Sequence, residues 1–543
     1  MSSTINAGRV ADVGAAPPIV LDGRPPEKLR GLASFVSKNI LASLARVSVV
    51  SVVALVLPAY LTQHLPVTTY SAWVLILQLA AYVSYFDLGI QTAVSKFVAE
   101  YEAKGDRDSA GRHASAGLVL MMLAGTLGVA LTLALAWQVP NLFHTMPASL
   151  YHDVRTSVVL VGFSLSFGLV CAVYSAVFLG LQRYWIPMSI SIINRTSFAG
   201  IVIAVVALHG QLGAMGIAVA FINVGTGLSQ ILAWKKKASH IRMSAGLVDV
   251  PVLKRVARYC SLQSVWTIGL LCVAGLDVTI VGHYDYGQTA YYSIATLPTS
   301  FLLLIMSSIV GPLMPASSAM STQLSSREMG AVLAKVTRYS TIVLLLTGLP
   351  LIVCGMPLLR MWVGASYAVH TIRYLRILVF ANIIRNFCLP YATMISATGR
   401  QEAAIITAVA EAVVNLSASL YLAGRFGGVG VAIGTLLGAL VSVSLHFIVT
   451  MHFTRSSFDI SCSRLFLSGL LRPAVIALPS LAILLLEYRS GYSLLGASTI
   501  ILWAVATFAL AAFAAINAEE RRYFRHVLGD WIPFKSLGMG TNS

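Results

Sequence analysis

The sequence predicts an all-α polytopic membrane protein of about 14 transmembrane helices, built as two parallel six-helix lobes plus two C-terminal helices. Three observations predict it. Of 543 residues, 57% are apolar and only 10% charged, with a mean hydropathy of +0.81. Soluble domains carry about a quarter charged residues, so this composition excludes an ordinary soluble enzyme, and its hydrophobicity excludes disorder. Apolar runs long enough to cross a bilayer recur along the whole chain. The motifs of the first six runs recur, in order, in the next six.

Residues 1–39 are polar, contain Pro17-Pro18 and Pro25-Pro26, and read as a cytoplasmic N-terminal tail. Apolar runs follow at about 40–62, 70–95, 113–138, 154–181, 187–208 and 213–234; these are spans 1–6, an N-lobe over 40–234. A basic cytoplasmic linker over 235–255 opens with Lys235-Lys236-Lys237. Runs at 256–283, 289–319, 335–358, 371–397, 403–424 and 428–452 are spans 7–12, a C-lobe over 256–452. Runs at 465–486 and 493–516, within 453–516, are spans 13 and 14, and 517–543 form a cytoplasmic C-terminal tail.

The net charge of +17 is explained by topology. With the N-terminus inside, 28 of the 37 Lys and Arg residues fall on cytoplasmic segments and six on external ones. That asymmetry is the positive-inside signature. It also implies contact with anionic lipid at the inner leaflet, and no nucleic acid is needed to account for it.

Three pairs of motifs mark the repeat. Tyr70-Ser71 followed by Gly89 matches Tyr292-Ser293 followed by Gly311. Gly180-Leu-Gln182 matches Gly399-Arg-Gln401, and Gly213-x-x-Gly216 matches Gly427-x-x-Gly430. The offsets are 222, 219 and 214 residues. Six spans per copy is an even number, so both copies point the same way and the repeat axis runs along the membrane normal.

Ionisable and amide side chains inside spans are the site candidates, because each costs roughly 2.5–3.5 kcal/mol to insert when charged. Span 11 carries Thr407, Glu411, Asn415 and Ser419 at intervals of four, one face of a helix. This stripe reads as a cavity wall whose carboxylate exchanges a proton, or as an interhelical hydrogen-bond seam. Span 10 carries Asn382, Arg385 and Asn386, with Pro390 as a hinge candidate because proline frees a backbone carbonyl. Arg46 in span 1 and Arg195 in span 5 either snorkel to headgroups or face a cleft as cationic rungs. Asp87 in span 2 and Asp277 in span 7 are coupling carboxylates or partners of basic residues. Gly434-x-x-x-Gly438 in span 12 predicts close helix packing.

Other chemistries find no support. The six cysteines form no CxxC pair and the eleven histidines show no ligand spacing, so no metal or redox site is expected. No P-loop occurs, so no nucleotide-driven step is expected either.

Phe86-Asp87-Leu-Gly89, Gly180-Leu-Gln182 and Leu276-Asp277-Val-Thr-Ile-Val-Gly282, followed by Ala290-Tyr-Tyr-Ser293, resemble the multidrug/oligosaccharidyl-lipid/polysaccharide exporter superfamily. Within it the chain is most similar to bacterial polysaccharide flippases, over about residues 35–520. The resemblance implies alternating access and no enzymatic activity. It implies movement of an undecaprenyl-diphosphate-linked oligosaccharide across the bacterial inner membrane for surface or exopolysaccharide synthesis. It implies no cofactor, but drive by a proton or sodium gradient, and cooperation with the glycosyltransferases and polymerase of the same pathway. On that reading Arg46, Arg195, Arg385, Asn382, Asn386 and Asn415 line the diphosphate and glycan cleft, and Glu411, Asp277 and Asp87 are the ion-coupling candidates. The chain departs from lipid II flippases, which crowd several basic residues onto spans 1 and 2. The competing readings are a multidrug or cation antiporter of the same fold and, with less support, a membrane polysaccharide polymerase or lipid-sugar transferase. The latter calls for large external loops, and the longest here, around Val139–Val154, is short.

Overall fold

In the lipid core a backbone must satisfy its own hydrogen bonds, and helices are how this chain does so. The computed structural model describes residues 27–514 except 245, 247, 401 and 491–493; residues 1–26 and the whole C-terminal tail lie outside it. Among the described residues, 13 helices are long and apolar enough to cross a membrane. In order they are Ala45–His64, Val67–Ala103, Arg107–Leu142, Ala148–Gly180, Trp185–Ala207, Leu212–Lys237, Thr267–Tyr284, Tyr286–Val310, Ser326–Val353, Ala365–Ala397, Glu402–Phe426, Gly428–Phe453 and Cys462–Leu485. They match the first 13 predicted spans one for one. The fourteenth, Leu494–Ala514, holds a shorter apolar stretch, Ile500–Ala511.

Several spans are broken where the sequence predicts continuous helices, and the residues at the breaks supply the cause. Span 2 tightens into a 3-10 turn over Tyr82–Asp87 and passes through two left-handed residues, Leu88 (φ 45°) and Gly89 (φ 82°). The second of these suits glycine, which pays no Cβ penalty there. Span 8 stops at Val310 and restarts at Leu313, past Gly311 and Pro312. Gly89 and Gly311 are repeat-related, so both copies break at the same place. Span 10 breaks between Phe387 and Leu389, next to Pro390. Span 7 runs from Val250 to Leu270, widens into a π-turn over Leu271–Gly275, and resumes as Asp277–Tyr284.

The two lobes repeat the same packing. Span 4 packs on spans 2, 3 and 6, and span 10 packs on spans 8, 9 and 12. Span 5 packs on spans 1 and 6, and span 11 on spans 7 and 12. The lobes meet along spans 2, 7 and 8. There the repeat-related pairs face each other: Ser71 accepts a hydrogen bond from the Ala290 backbone N–H at 3.2 Å, and the Tyr70 hydroxyl faces Ser293. Spans 13 and 14 pack on span 9 and on each other.

The two ends differ. At the end away from the basic linker the lobes are tied together. The Tyr286 hydroxyl donates to the Thr68 carbonyl at 2.6 Å, Trp362 Nε1 donates to Leu55 at 2.7 Å, and His283 Nδ1 lies 2.5 Å from the Leu142 carbonyl. At the basic end, contact runs through the start of span 7. Arg255 donates to the Tyr101 hydroxyl at 2.8 Å and stands 3.8 Å from Glu100, which also pairs with Lys104 at 2.7 Å. The linker is folded onto span 3, where the Ser244 N–H donates to Ser115 at 3.0 Å.

Spans 11 and 12 approach through the predicted glycines. A Cβ at Gly434 would stand 2.6 Å from the Ser419 nitrogen, and one at Gly438 would stand 2.8 Å from the Asn415 Cβ. Gly434→Val is therefore expected to destabilise the fold by about 1–3 kcal/mol through overpacking. Gly424→Ala, where the nearest atom is 3.7 Å away, should not. Thermal unfolding of the detergent-solubilised variants checks this.

Candidate functional site

Arg46 and Arg195 lie on adjacent helices, and their position on those helices decides what they face. Residues seven and eleven apart share a helical face. Arg46 shares one with Val53, packed on the core, and Leu57, which is buried. Arg195 shares one with Val202 and Val206, both buried. Both arginines thus lie on inward faces. Arg195 is nevertheless exposed, and Arg46 is half-buried. The two guanidinium groups are close enough to act on each other electrostatically. Among the described residues neither is in an ion pair, and Arg46 Nε is buried without a hydrogen bond. Beside Arg195, Asn194 donates to Thr226 of span 6 at 2.7 Å.

Arg385 stands apart from this pair. Its Nε donates to Glu411 Oε1 at 2.5 Å, forming an ion pair in the C-lobe interior. Its second terminal nitrogen, Nη2, is buried without a partner. Asp277 lies within electrostatic reach of Arg385. One oxygen of Asp277 accepts from Tyr292 and from Thr435, each at 3.2 Å, and the other is buried with no partner.

The span 11 stripe forms a seam. Thr407 meets Thr450 of span 12 at 3.0 Å, and Glu411 meets Arg385 of span 10. Asn415 donates to the Val273 carbonyl at 3.0 Å, and Ser419 reaches the Asn415 side-chain oxygen at 3.3 Å and the Val431 carbonyl at 3.4 Å. All four are buried. The π-turn of span 7 explains the asparagine. Widening a helix frees carbonyls, and those of Val273 and Gly275 are taken up by Asn415 and by Gln78 of span 2, the latter at 2.7 Å. Beside them the Tyr82 hydroxyl bonds Thr279 across the lobe boundary.

Three of the remaining candidates have local partners. Asp87 accepts from the Gln91 N–H at 3.2 Å and so caps the restarted half of span 2, rather than joining a basic residue. Asn382 and Asn386 donate back to carbonyls of their own helix, Leu378 and Asn382, each at 2.9 Å. Pro390 marks the break of span 10.

Several polar residues at these places were not singled out from the sequence. Thr435, Ser442, His446 and Thr450 of span 12, with Thr454 just past its end, are all buried, and their spacing of seven, four, four and four was readable. Asn223, Thr226, Gln230 and Trp234 form a similar stripe on span 6. Gln78 gave no signal, because its partner is a carbonyl freed only by the π-turn of another span.

No protein-family profile matches this chain, and no curated protein sequence does. Solved structures do match its fold. The lipid II flippase MurJ in an inward closed conformation is similar over 90% of this chain and 100% of its own, with TM-score 0.66 and 13% identity. An inward-facing multidrug resistance MATE family transporter of the MOP superfamily is similar over 75% and 96%, with TM-score 0.59 and 14% identity. A point mutant of the Vibrio cholerae MATE transporter VcmN is similar over 78% and 98%, with TM-score 0.54 and 14% identity. The chain thus has the fold that these transporters share.

Removing one partner of a buried ion pair leaves the other charge stranded, at a cost of about 3–5 kcal/mol. Glu411→Ala and Arg385→Ala should each lower the unfolding temperature sharply. The double variant Arg385→Met/Glu411→Leu should recover most of the loss, and unfolding of the three purified variants tests this.

Proposed function

We propose that this protein is an alternating-access flippase that moves an undecaprenyl-diphosphate-linked oligosaccharide repeat unit across the bacterial inner membrane, with both termini cytoplasmic. The observation that carries the reading is the Arg46–Arg195 pair. Two like charges on inward faces, with no acidic partner among the described residues, are unfavourable unless an anion joins them. A diphosphate fits that demand, since guanidinium groups bind phosphate oxygens in a bidentate fashion. The closed end and the broken spans support movement of one lobe against the other around this site.

Asp277 is the coupling candidate on this reading. One of its oxygens is held by Tyr292 and Thr435 and the other is buried without a partner, an arrangement that suits a proton or a sodium ion. The glycosyltransferases that build the repeat unit and the polymerase that consumes it are the expected partners.

The likeness to MATE transporters favours a second reading, a multidrug or cation antiporter. A cation exporter calls for free carboxylates on inward faces. Here the exposed inward group is Arg195, while Glu411 and Asp277 are buried and engaged.

The test is a strain lacking the gene. Surface polysaccharide should be lost, with the finished lipid-linked unit accumulating on the cytoplasmic face. Complementation by Arg46→Gln or Arg195→Gln should restore less than about a tenth of the polymer, the loss expected when a charge-assisted phosphate contact goes. Normal polymer with no accumulated intermediate would overturn the reading and turn attention to drug accumulation.

A further inference from the structure

Spans 5 and 6 pack on each other, and their ends at the basic side form one corner. Arg183, just before span 5, donates from Nη1 to the carbonyl of Lys237, the last residue of span 6, at 2.7 Å. The Lys237 ammonium stands over the Trp185 ring, 4.2 Å from its centroid. Lys235, Lys236 and Lys237 are exposed, and so are Tyr184 and Trp185. Tryptophan and tyrosine favour the depth of lipid headgroups, so the corner sits at the membrane surface.

Four cations share this corner, and none of them is in an ion pair among the described residues. Other cations at the same end are matched by acids: Lys104 and Arg255 by Glu100, and Arg112 by Asp249 at 3.6 Å. Clustered like charges repel, so the corner favours an anion from outside the protein. The outer face of span 6 indicates its kind. Phe221, Val224, Leu228 and Leu232 are exposed at intervals of three, four and four, one face of a helix. The same intervals carry that face on to Lys235 and Lys236. From Phe221 to Leu232 the helix rises about 17 Å, and half the hydrocarbon core of a bilayer is about 15 Å. An apolar track the depth of one leaflet, ending on a group of cations, matches a lipid with its chains along the track and its phosphate at the corner.

We propose that Arg183, Lys235, Lys236 and Lys237, with Trp185, hold the headgroup of an anionic phospholipid in the leaflet at the basic end, its chains lying along the exposed face of span 6. The opposite face of span 6 packs on span 4, where a Cβ at Gly227 would stand 2.7 Å from the Phe167 ring. The lipid therefore anchors on a helix whose other side is fixed in the N-lobe. This site is separate from Arg46 and Arg195 and does not depend on what they bind.

The test is native mass spectrometry of the purified full-length protein in detergent, titrated with dioleoylphosphatidylglycerol or dioleoylphosphatidylethanolamine. The two lipids share their chains, and only the first carries net charge. The wild type should bind phosphatidylglycerol about tenfold more tightly, and excess inorganic phosphate should not displace it. Lys235→Gln/Lys236→Gln, two exposed positions, should weaken phosphatidylglycerol about tenfold and leave phosphatidylethanolamine within about twofold, since each cation near a lipid surface adds a comparable electrostatic share. Arg107→Gln/Lys254→Gln removes two exposed cations from the same end outside the corner and should leave both lipids within about twofold. Equal wild-type affinity for the two lipids overturns the site. So does an equal loss in the two double variants, which would mean diffuse charge attraction, and so does displacement by phosphate, which would mean a site for a free anion.

Discussion

A charge inside a membrane protein must be answered by something, and in this chain the answer differs between the two lobes. Arg385 is answered by Glu411 within the protein, and the ion pair joins spans 10 and 11. Arg46 and Arg195 act on each other electrostatically and have no acidic partner among the described residues. A fold tolerates such a pair only where solvent or a ligand reaches it. The N-lobe thus carries an exposed arginine on an inward face, while the C-lobe is organised around a filled seam. The repeat supplies two copies of one scaffold, and the charges make them unlike.

The seam accounts for how the C-lobe combines close packing with helix breaks. Gly434 and Gly438 let span 12 approach span 11, which buries Glu411, Asn415 and Ser419. Asn415 then reaches the π-turn of span 7, and Gln78 reaches the same turn from the other lobe. The widened turn is thus held from both lobes. Asp277 begins the segment just past that turn, so its side chain and the widened turn share one stretch of span 7.

The fold was legible because hydrophobic length and charge asymmetry are properties of the whole chain, robust to any single residue. The repeat was legible for a related reason. Gly89 and Gly311 mark helix breaks, and Tyr70-Ser71 and Tyr292-Ser293 lie where the lobes meet, so few residues suit those positions. The site was legible in its residues more than in its pairings. Glu411 and Arg385 were both visible as intramembrane charges, but their contact joins residues 26 apart on different helices. Asp87 looked like a charge in need of a partner, and the left-handed turn that makes it a cap is a backbone event that composition does not announce. The Asn223-to-Trp234 stripe of span 6 escaped notice because amides and tryptophan carry no charge.

The central claim is that the space between Arg46 and Arg195 is an anion site inside the N-lobe. The most direct measurement is a cryo-EM map of the purified full-length protein with and without farnesyl diphosphate. The account predicts added density bridging the two guanidinium groups, absent from the ligand-free map. Density elsewhere, with the two arginines unchanged and turned toward the surrounding detergent, would contradict it.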